Sequence, residues 1–260
     1  MAISVSRSRP ALAGPYSLTA EDLTQLERLA GVPVVAKWAQ PFQPSHTYGG
    51  KLIDKVMGSQ VPFCTTGFTV KDAVSQLTGV MTAGHCSDDY WANGDPTYHE
   101  SPAIWYVVDF SGLRWDRNQD FAWYQTSHVE YPKFWDGFGL RTQTGTQPRL
   151  QMEDNVVCHY GIGSDNLPDE TGYSCGVVDS ITLNPGATYC NGGPCDAIWV
   201  LVIPGGHDLE CEPGDSGGPY FWGNIAWGIQ SGCNFATGDS VFMSIGALQW
   251  DGVNTRVLLP

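Results

Sequence analysis

The chain has 260 residues, of which only 15% are charged; 27 acidic side chains face 13 basic ones, for a formal net charge of −14. That balance excludes a nucleic-acid partner, which calls for clustered Lys and Arg, and no apolar run approaches the ~20 residues of a membrane helix, the longest candidate being Ala197 to Pro204. The 31 glycines and 17 prolines break the sequence into short apolar runs, an all-β signature, and eight cysteines in an acidic, turn-rich chain point to an oxidising compartment.

Residues 1–48 form a compositional unit of their own. The first fourteen carry Arg7, Arg9 and Pro10 and no apolar core, so they are not a signal peptide; the expectation is an exported, soluble protein whose signal has been removed and whose start methionine was added. Further on, Thr19 can cap a helix with Asp22 three residues later, Leu23, Leu26 and Leu29 share a face, and Gly31 with Pro33 supplies the stop. One amphipathic helix is predicted. It has two readings, a helix packed on the body of the protein or the remnant of a pro-segment.

The apolar run Leu77 to Met81 reads as a strand ending at Thr82-Ala83-Gly84-His85-Cys86. A single carboxylate then heads an apolar segment, Asp120-Phe121-Ala122-Trp123-Tyr124, where a buried acceptor for an imidazole N–H can be held. Asp116 competes for that role, but Arg114 and Arg117 around it suggest a solvated loop. Near the carboxyl end, Gly214-Asp215-Ser216-Gly217-Gly218-Pro219 sets one serine between small residues. Glycines on both sides let the backbone turn sharply, so the hydroxyl projects while N–H groups converge beside it. A glycine-rich turn with a serine is often only a turn. The order His85, Asp120, Ser216 adds the information, because subtilisin-type and α/β-hydrolase triads run differently along their chains.

These motifs resemble those of chymotrypsin-like (trypsin-like) serine proteases, and further details resemble the bacterial streptogrisin and α-lytic branch. They are Cys64-Thr65-Thr66-Gly67-Phe68 before the histidine, Cys158 and Cys175 flanking a polar loop, Glu212-Pro213 before the serine loop, and the ending Ala247-Leu248-Gln249-Trp250-Asp251-Gly252-Val253. The similarity spans Gly49 to Val257.

The resemblance implies two antiparallel six-stranded Greek-key β-barrels, a short C-terminal helix and a cleft between the barrels. Residues 49–133 are then the first barrel, with His85 and Asp120, and residues 134–260 hold the connection, the second barrel with Ser216, and the terminal helix. It also implies a secreted serine endopeptidase acting on protein or peptide substrates, expected as a monomer with no metal or organic cofactor. The other class of function open to such a chain is a catalytically inert or latent binding protein on a protease scaffold. The pairing carried over from the family is Cys64 with Cys86, Cys158 with Cys175, Cys190 with Cys195, and Cys211 with Cys233.

By the same resemblance, His85 is the general base, Asp120 its orienting partner, Ser216 the nucleophile, and the N–H groups of Gly214 and Ser216 the oxyanion hole. The segment Gly228-Ile229-Gln230-Ser231-Gly232 looks like the strand that pairs with an extended peptide. Ser231 is expected to donate to Asp120, and Trp227 is a candidate for lining the cleft. Counting back from Cys211 puts Leu209 and Glu210 near the base of the primary side-chain pocket: Glu210 would favour basic side chains and Leu209 apolar ones. Asp215 needs a positive partner, since an unpaired buried carboxylate is costly. The bacterial branch uses an arginine there, and this chain has His159 at that position, with Arg141 and Arg149 as alternatives. If His159 is the partner, activity weakens at alkaline pH as the imidazole loses its proton.

Overall fold

The computed structural model describes residues 47–54, 63–86, 97–101, 104–107, 109–115, 119–126, 129–165, 171–190, 192–246 and 255–260. The helix expected after Thr19, the competing Asp116 and the helix expected within residues 247–253 lie outside the described residues.

The carboxyl-terminal half is built on β12 (Val156–Tyr160), β13 (Tyr173–Leu183), β14 (Trp199–Ile203), β15 (Pro219–Trp222), β16 (Ile225–Asn234) and β17 (Asp239–Ser244). These six pair in a ring, each antiparallel to its neighbours, β12 to β13, β14, β17, β16, β15 and back to β12. Closure removes both sheet edges and leaves one interior to fill. Alternation along β13, where Ser174, Gly176 and Val178 are buried between half-buried or exposed neighbours, turns every second side chain inward. The interior holds Met152, Val157, Val178, Val200, Val202, Tyr220, Trp227 and Phe242.

The amino-terminal half consists of two sheets. β1 (Leu52–Asp54), β2 (Phe63–Thr65), β5 (Thr97–Ser101) and β6 (Ile104–Val107) form one, in the order β2-β1-β5-β6. β3 (Thr69–Asp72), β4 (Thr78–Thr82), β7 (Asp109–Trp115), β8 (Asp120–Gln125) and β18 (Thr255–Val257) form the other, in the order β18-β3-β4-β8-β7. Among the described residues these two sheets form a half-barrel. Its last strand comes from the far end of the chain, because β18 pairs with β3. Ile53, Val80, Ala122 and Tyr124 make up its core with the Cys64–Cys86 bridge.

The halves meet along an apolar seam. Phe134 on β9 (Lys133–Trp135) packs edge-on against Phe68 with ring centroids 5.1 Å apart, and against Phe221 of β15 at 4.9 Å. Buried aromatic pairs of this geometry favour one relative placement of the two sheets. The connection is anchored by Gln143, whose Nε2 donates to the carbonyls of Thr69 and Leu258 at 2.9 and 2.7 Å.

Candidate active site

β4 is buried along its whole length, and it delivers the chain to a single 3₁₀ turn, Gly84–Cys86. The turn is tied on one side by the Cys64–Cys86 disulfide. On the other, the His85 N–H donates to Asp120 Oδ1 at 2.8 Å. Asp120, at the head of β8 and fully buried, therefore fixes the backbone of His85 with one oxygen and its ring with the other, since Nδ1 lies 2.8 Å from Oδ2. A carboxylate can only accept, so Nδ1 carries the proton and Nε2 of the neutral ring is left as an acceptor. Nε2 lies 2.9 Å from Ser216 Oγ.

The serine is presented by a loop held from both halves. Gly214 and Gly217 adopt φ of 107° and 85°, a region that side chains disfavour. At Gly217 a Cβ would also fall 2.0 Å from Thr82 Oγ1. Thr65 of β2 clamps the loop from across the seam: its N–H donates to the Ser216 carbonyl and its hydroxyl to the Gly214 carbonyl, both at 2.8 Å. From the barrel side, Gly217 N–H donates to the Gln230 carbonyl at 2.7 Å and Gln230 N–H to the Gly218 carbonyl at 2.9 Å. The N–H groups of Gly214 and Ser216 have no acceptor among the described residues.

The site is electrostatically poised. Burial is the largest single influence on His85 and pulls its pKa down, yet the charge and hydrogen bond of Asp120 together outweigh it, and the imidazole lies above its ordinary value. The side chain keeps 30% of its surface exposed while Asp120 keeps 1%. The pair is thus open to a substrate on one side and sealed on the other.

Asp215 does not take the positive partner expected. Its Oδ2 accepts from the Ser164 hydroxyl at 2.6 Å and the Glu212 N–H at 2.8 Å, and its Oδ1 accepts from the Ser164 N–H at 2.9 Å. Ser164 belongs to a short helical turn, Ile162–Asp165, brought close by two glycines. A Cβ on Gly161 would lie 1.9 Å from Asp215 Oδ1, and one on Gly163 would lie 2.4 Å from the Pro213 carbonyl. His159 is fully buried and stacked on Tyr220, but its Nε2 turns to the Glu210 carbonyl and to Ser174 Oγ. Burial holds its pKa below the ordinary value despite the nearby charge of Asp215, and its Nδ1 has no hydrogen-bond partner among the described residues. The ring is therefore neutral, and the pairing of Asp215 with His159 is corrected to a clamp of neutral donors. The alternatives are engaged elsewhere, Arg141 with Asp136 and Arg149 with the Ile181 carbonyl.

The expected substrate residues divide. Gln230, Ser231 and Gly232 lie on β16 just past the serine loop. Ser231 Oγ, however, is buried with no hydrogen-bond partner among the described residues, and Asp120 is engaged by His85 instead. Trp227 is 4% exposed inside the barrel core and does not line the cleft. Leu209 packs against the same core, while the backbone of Glu210 is bound to Ser174 and His159. Those bonds tie the Glu210 backbone to β12 and β13.

Two residues escaped the sequence reading. Ser164 had a legible signal, the Gly161-Ile162-Gly163-Ser164 run directly after a strand. Tyr189 had none: its ring lies over Gly232, where a Cβ would fall 2.2 Å from Cε1. Beside it, Leu183, Pro185, Phe235 and Val241 help line a recess of about 650 Å³ along the end of β16.

All four disulfides join the pairs carried over from the family resemblance. Among the described residues no helix is long and apolar enough to cross a membrane.

No family model matches the chain. Streptogrisin-C of Streptomyces griseus is 28% identical over 171 residues, which are 65% of this chain and 32% of that protein, so the chain spans about a third of the length of the curated relative it matches. Among solved structures, Cellulomonas bogoriensis chymotrypsin superposes with a TM-score of 0.58 at 22% identity, covering 83% of this chain and 100% of that one. Thermobifida fusca protease A gives 0.57 at 21% identity, with the same coverage. The protein thus has the chymotrypsin-like fold of these solved structures and is similar in sequence to a streptogrisin.

Proposed function

We propose that this protein is a serine endopeptidase that hydrolyses peptide bonds through an acyl-enzyme, with Ser216 as nucleophile, His85 as general base and Asp120 as its orienting partner. The observation that carries the reading is the unbroken line from Asp120 Oδ2 through Nδ1 and Nε2 of His85 to Ser216 Oγ, with contacts of 2.8 and 2.9 Å. A serine hydroxyl is a poor nucleophile at neutral pH. As Oγ forms its bond to the substrate carbonyl carbon, its proton passes to Nε2, and the carboxylate of Asp120 stabilises the resulting imidazolium. The carbonyl π electrons move to oxygen, and the N–H groups of Gly214 and Ser216 receive the oxyanion, each donor worth roughly 2.7–4 kcal/mol in such sites. Collapse breaks the C–N bond, with Nε2 returning its proton to the departing amine. Water then repeats the sequence on the acyl-serine and releases the acid.

An extended peptide has a place to pair. β16 is hydrogen-bonded to β17 from Gly228 to Asn234, but to β15 only from Ile225 to Ile229, so among the described residues no strand pairs with that edge beyond Gln230. Addition of a strand there aligns backbone with backbone. The reading includes two Greek-key barrels of six strands and export to an oxidising compartment, supported by the four disulfides. It also includes action as a monomer on protein or peptide substrates.

The test is labelling with a fluorophosphonate. Covalent modification of Ser216, absent in Ser216→Ala, together with cleavage of a peptide library, is the expected result. An inert or latent scaffold would leave Ser216 unlabelled, and that outcome would end the proteolytic reading.

A further inference from the structure

Resting on that proteolytic reading, we infer that Thr65 is a positioning residue for the reaction: its hydroxyl holds the Gly214 peptide so that the oxyanion donors stay aimed at the carbonyl under attack. The backbone groups of the serine loop can be accounted for one by one. The carbonyl of Asp215 accepts from the Gly218 N–H, that of Ser216 from the Thr65 N–H, and that of Gly214 from the Thr65 hydroxyl, all at 2.8 Å. The N–H groups of Asp215, Gly217 and Gly218 are taken by the carbonyls of Glu212, Gln230 and Asp215. What remains without an acceptor among the described residues is the pair of N–H groups on Gly214 and Ser216. Thr65 holds two of the three carbonyls in that stretch.

The hydroxyl has a single orientation. Thr65 is fully buried, and its Oγ1 has a second contact, the Ile162 N–H at 3.0 Å. An amide N–H can only donate and a carbonyl can only accept, so Oγ1 accepts from Ile162 and gives its one hydrogen to Gly214. Ile162 opens the turn that carries Ser164, whose N–H and hydroxyl hold the Asp215 carboxylate. One oxygen thereby links the Gly214 carbonyl to the turn that fixes the next side chain along. The Thr65 carbonyl in turn accepts from the Thr82 hydroxyl at 2.8 Å, three residues before His85, and the neighbouring Cys64 is bridged to Cys86 just after it. The serine loop and the histidine are thus registered on the same residue.

Gly214 needs such a tie. Its φ of 107° lies where glycine meets little steric resistance to rotation, so the chain itself does not fix the plane of the peptide. Removing the hydroxyl leaves two buried groups, the Gly214 carbonyl and the Ile162 N–H, without the partner they share, and a buried polar group without a partner is costly. Rotation about Gly214 relieves that cost and carries its N–H off the line to the oxyanion. An extended peptide pairs with β16 and not with Gly214, so ground-state binding is untouched. The loss falls on the transition state, where charge reaches the carbonyl oxygen.

The experiment compares the full wild-type chain with Thr65→Val, Thr65→Ser and Thr65→Ala on one fluorogenic peptide, the active sites being counted by fluorophosphonate labelling run to completion. Thr65→Val displaces one oxyanion donor without removing it, and kcat per labelled site is expected to fall roughly 10- to 100-fold at unchanged KM. The acid limb of the pH profile should not move, since His85 and Asp120 keep their contacts. Thr65→Ser retains the oxygen and should recover most of kcat. Should Thr65→Val fail to fold, Thr65→Ala against Thr65→Ser decides, the two differing by the oxygen alone. A lowered melting temperature with kcat per labelled site unchanged, a loss expressed in KM, or Thr65→Ser as slow as the variants lacking the hydroxyl overturns the positioning role and leaves the proteolytic reading standing. A wild-type protein that neither labels nor cleaves sinks both.

Discussion

Removing one hydroxyl, in Ser164→Ala, tests whether neutral donors hold the serine loop in shape. Asp215 is fully buried and receives three hydrogen bonds, of which the Ser164 hydroxyl makes the shortest at 2.6 Å. The substitution leaves the N–H groups of Ser164 and Glu212 in place, so one charged acceptor loses one of three donors. Hydrogen bonds to charged groups contribute about 1.5–3 kcal/mol, and a loss of about 2 kcal/mol is expected. For a chain of this size that lowers Tm by roughly 4–8 °C. Urea titration should show a lower midpoint at unchanged slope, which assigns the loss to the folded state rather than to a change in the surface exposed on unfolding. Activity should fall with it, since the same loop carries Gly214 and Ser216. None of the three donors titrates between pH 6 and 9, so the penalty is constant across that range. A change below about 0.5 kcal/mol, the ordinary scatter of surface substitutions, would refute the clamp. A penalty that tracks a histidine titration would return His159 to the role of charged partner.

The remaining predictions concern charge, space and covalent ties. Asp120→Asn leaves the geometry but supplies the wrong donor to Nδ1, and kcat should drop about 10⁴-fold; a loss under tenfold by steady-state kinetics would remove Asp120 from the mechanism. Because His85 must be neutral to accept the serine proton, and its folded pKa is raised, the acid limb of kcat/KM should fall above the ordinary imidazole value of about 6.5. The sign for stability is opposite: the raised pKa stabilises the fold below the unfolded value, and that contribution is lost as pH rises through the folded one. His159, with its lowered pKa, instead destabilises the fold as pH falls below about 6.5, which His159→Gln should relieve in acid denaturation curves. Gly161→Ala drives a methyl into Asp215 Oδ1 at 1.9 Å and should cost about 1–3 kcal/mol or more, read by thermal melting. Cys64→Ala with Cys86→Ala opens a bridge spanning 22 residues, a loss of about 3 kcal/mol in the chain-entropy description.

Much of the site was legible because it is local. A strand that ends at His85, a carboxylate at the head of Asp120–Tyr124 and a serine between glycines each announce themselves within six residues. What pairs with what across the fold was less so. Asp215 called for a compensating group, and a residue adjacent to Cys158 was the natural candidate, but full burial keeps the His159 imidazole neutral and a serine on the next turn reaches the carboxylate first. Trp227 adjoins the substrate strand in sequence, yet strand alternation sends it to the barrel interior. Counting from Cys211 put Leu209 and Glu210 at the pocket base, but Leu209 packs on the barrel core and the Glu210 backbone is bonded to Ser174 and His159.

From its residues alone this chain declared an all-β architecture, a set of cysteines with family precedent and three side chains in an order that points to nucleophilic chemistry. Such features depend on short-range rules of turn geometry, burial and side-chain type, which linear text preserves. Only the folded molecule decided that the seam brings His85 and Ser216 to 2.9 Å and that Ser164 reaches Asp215. Those outcomes depend on distances between segments far apart along the chain, which are set by how the barrel closes and the halves pack.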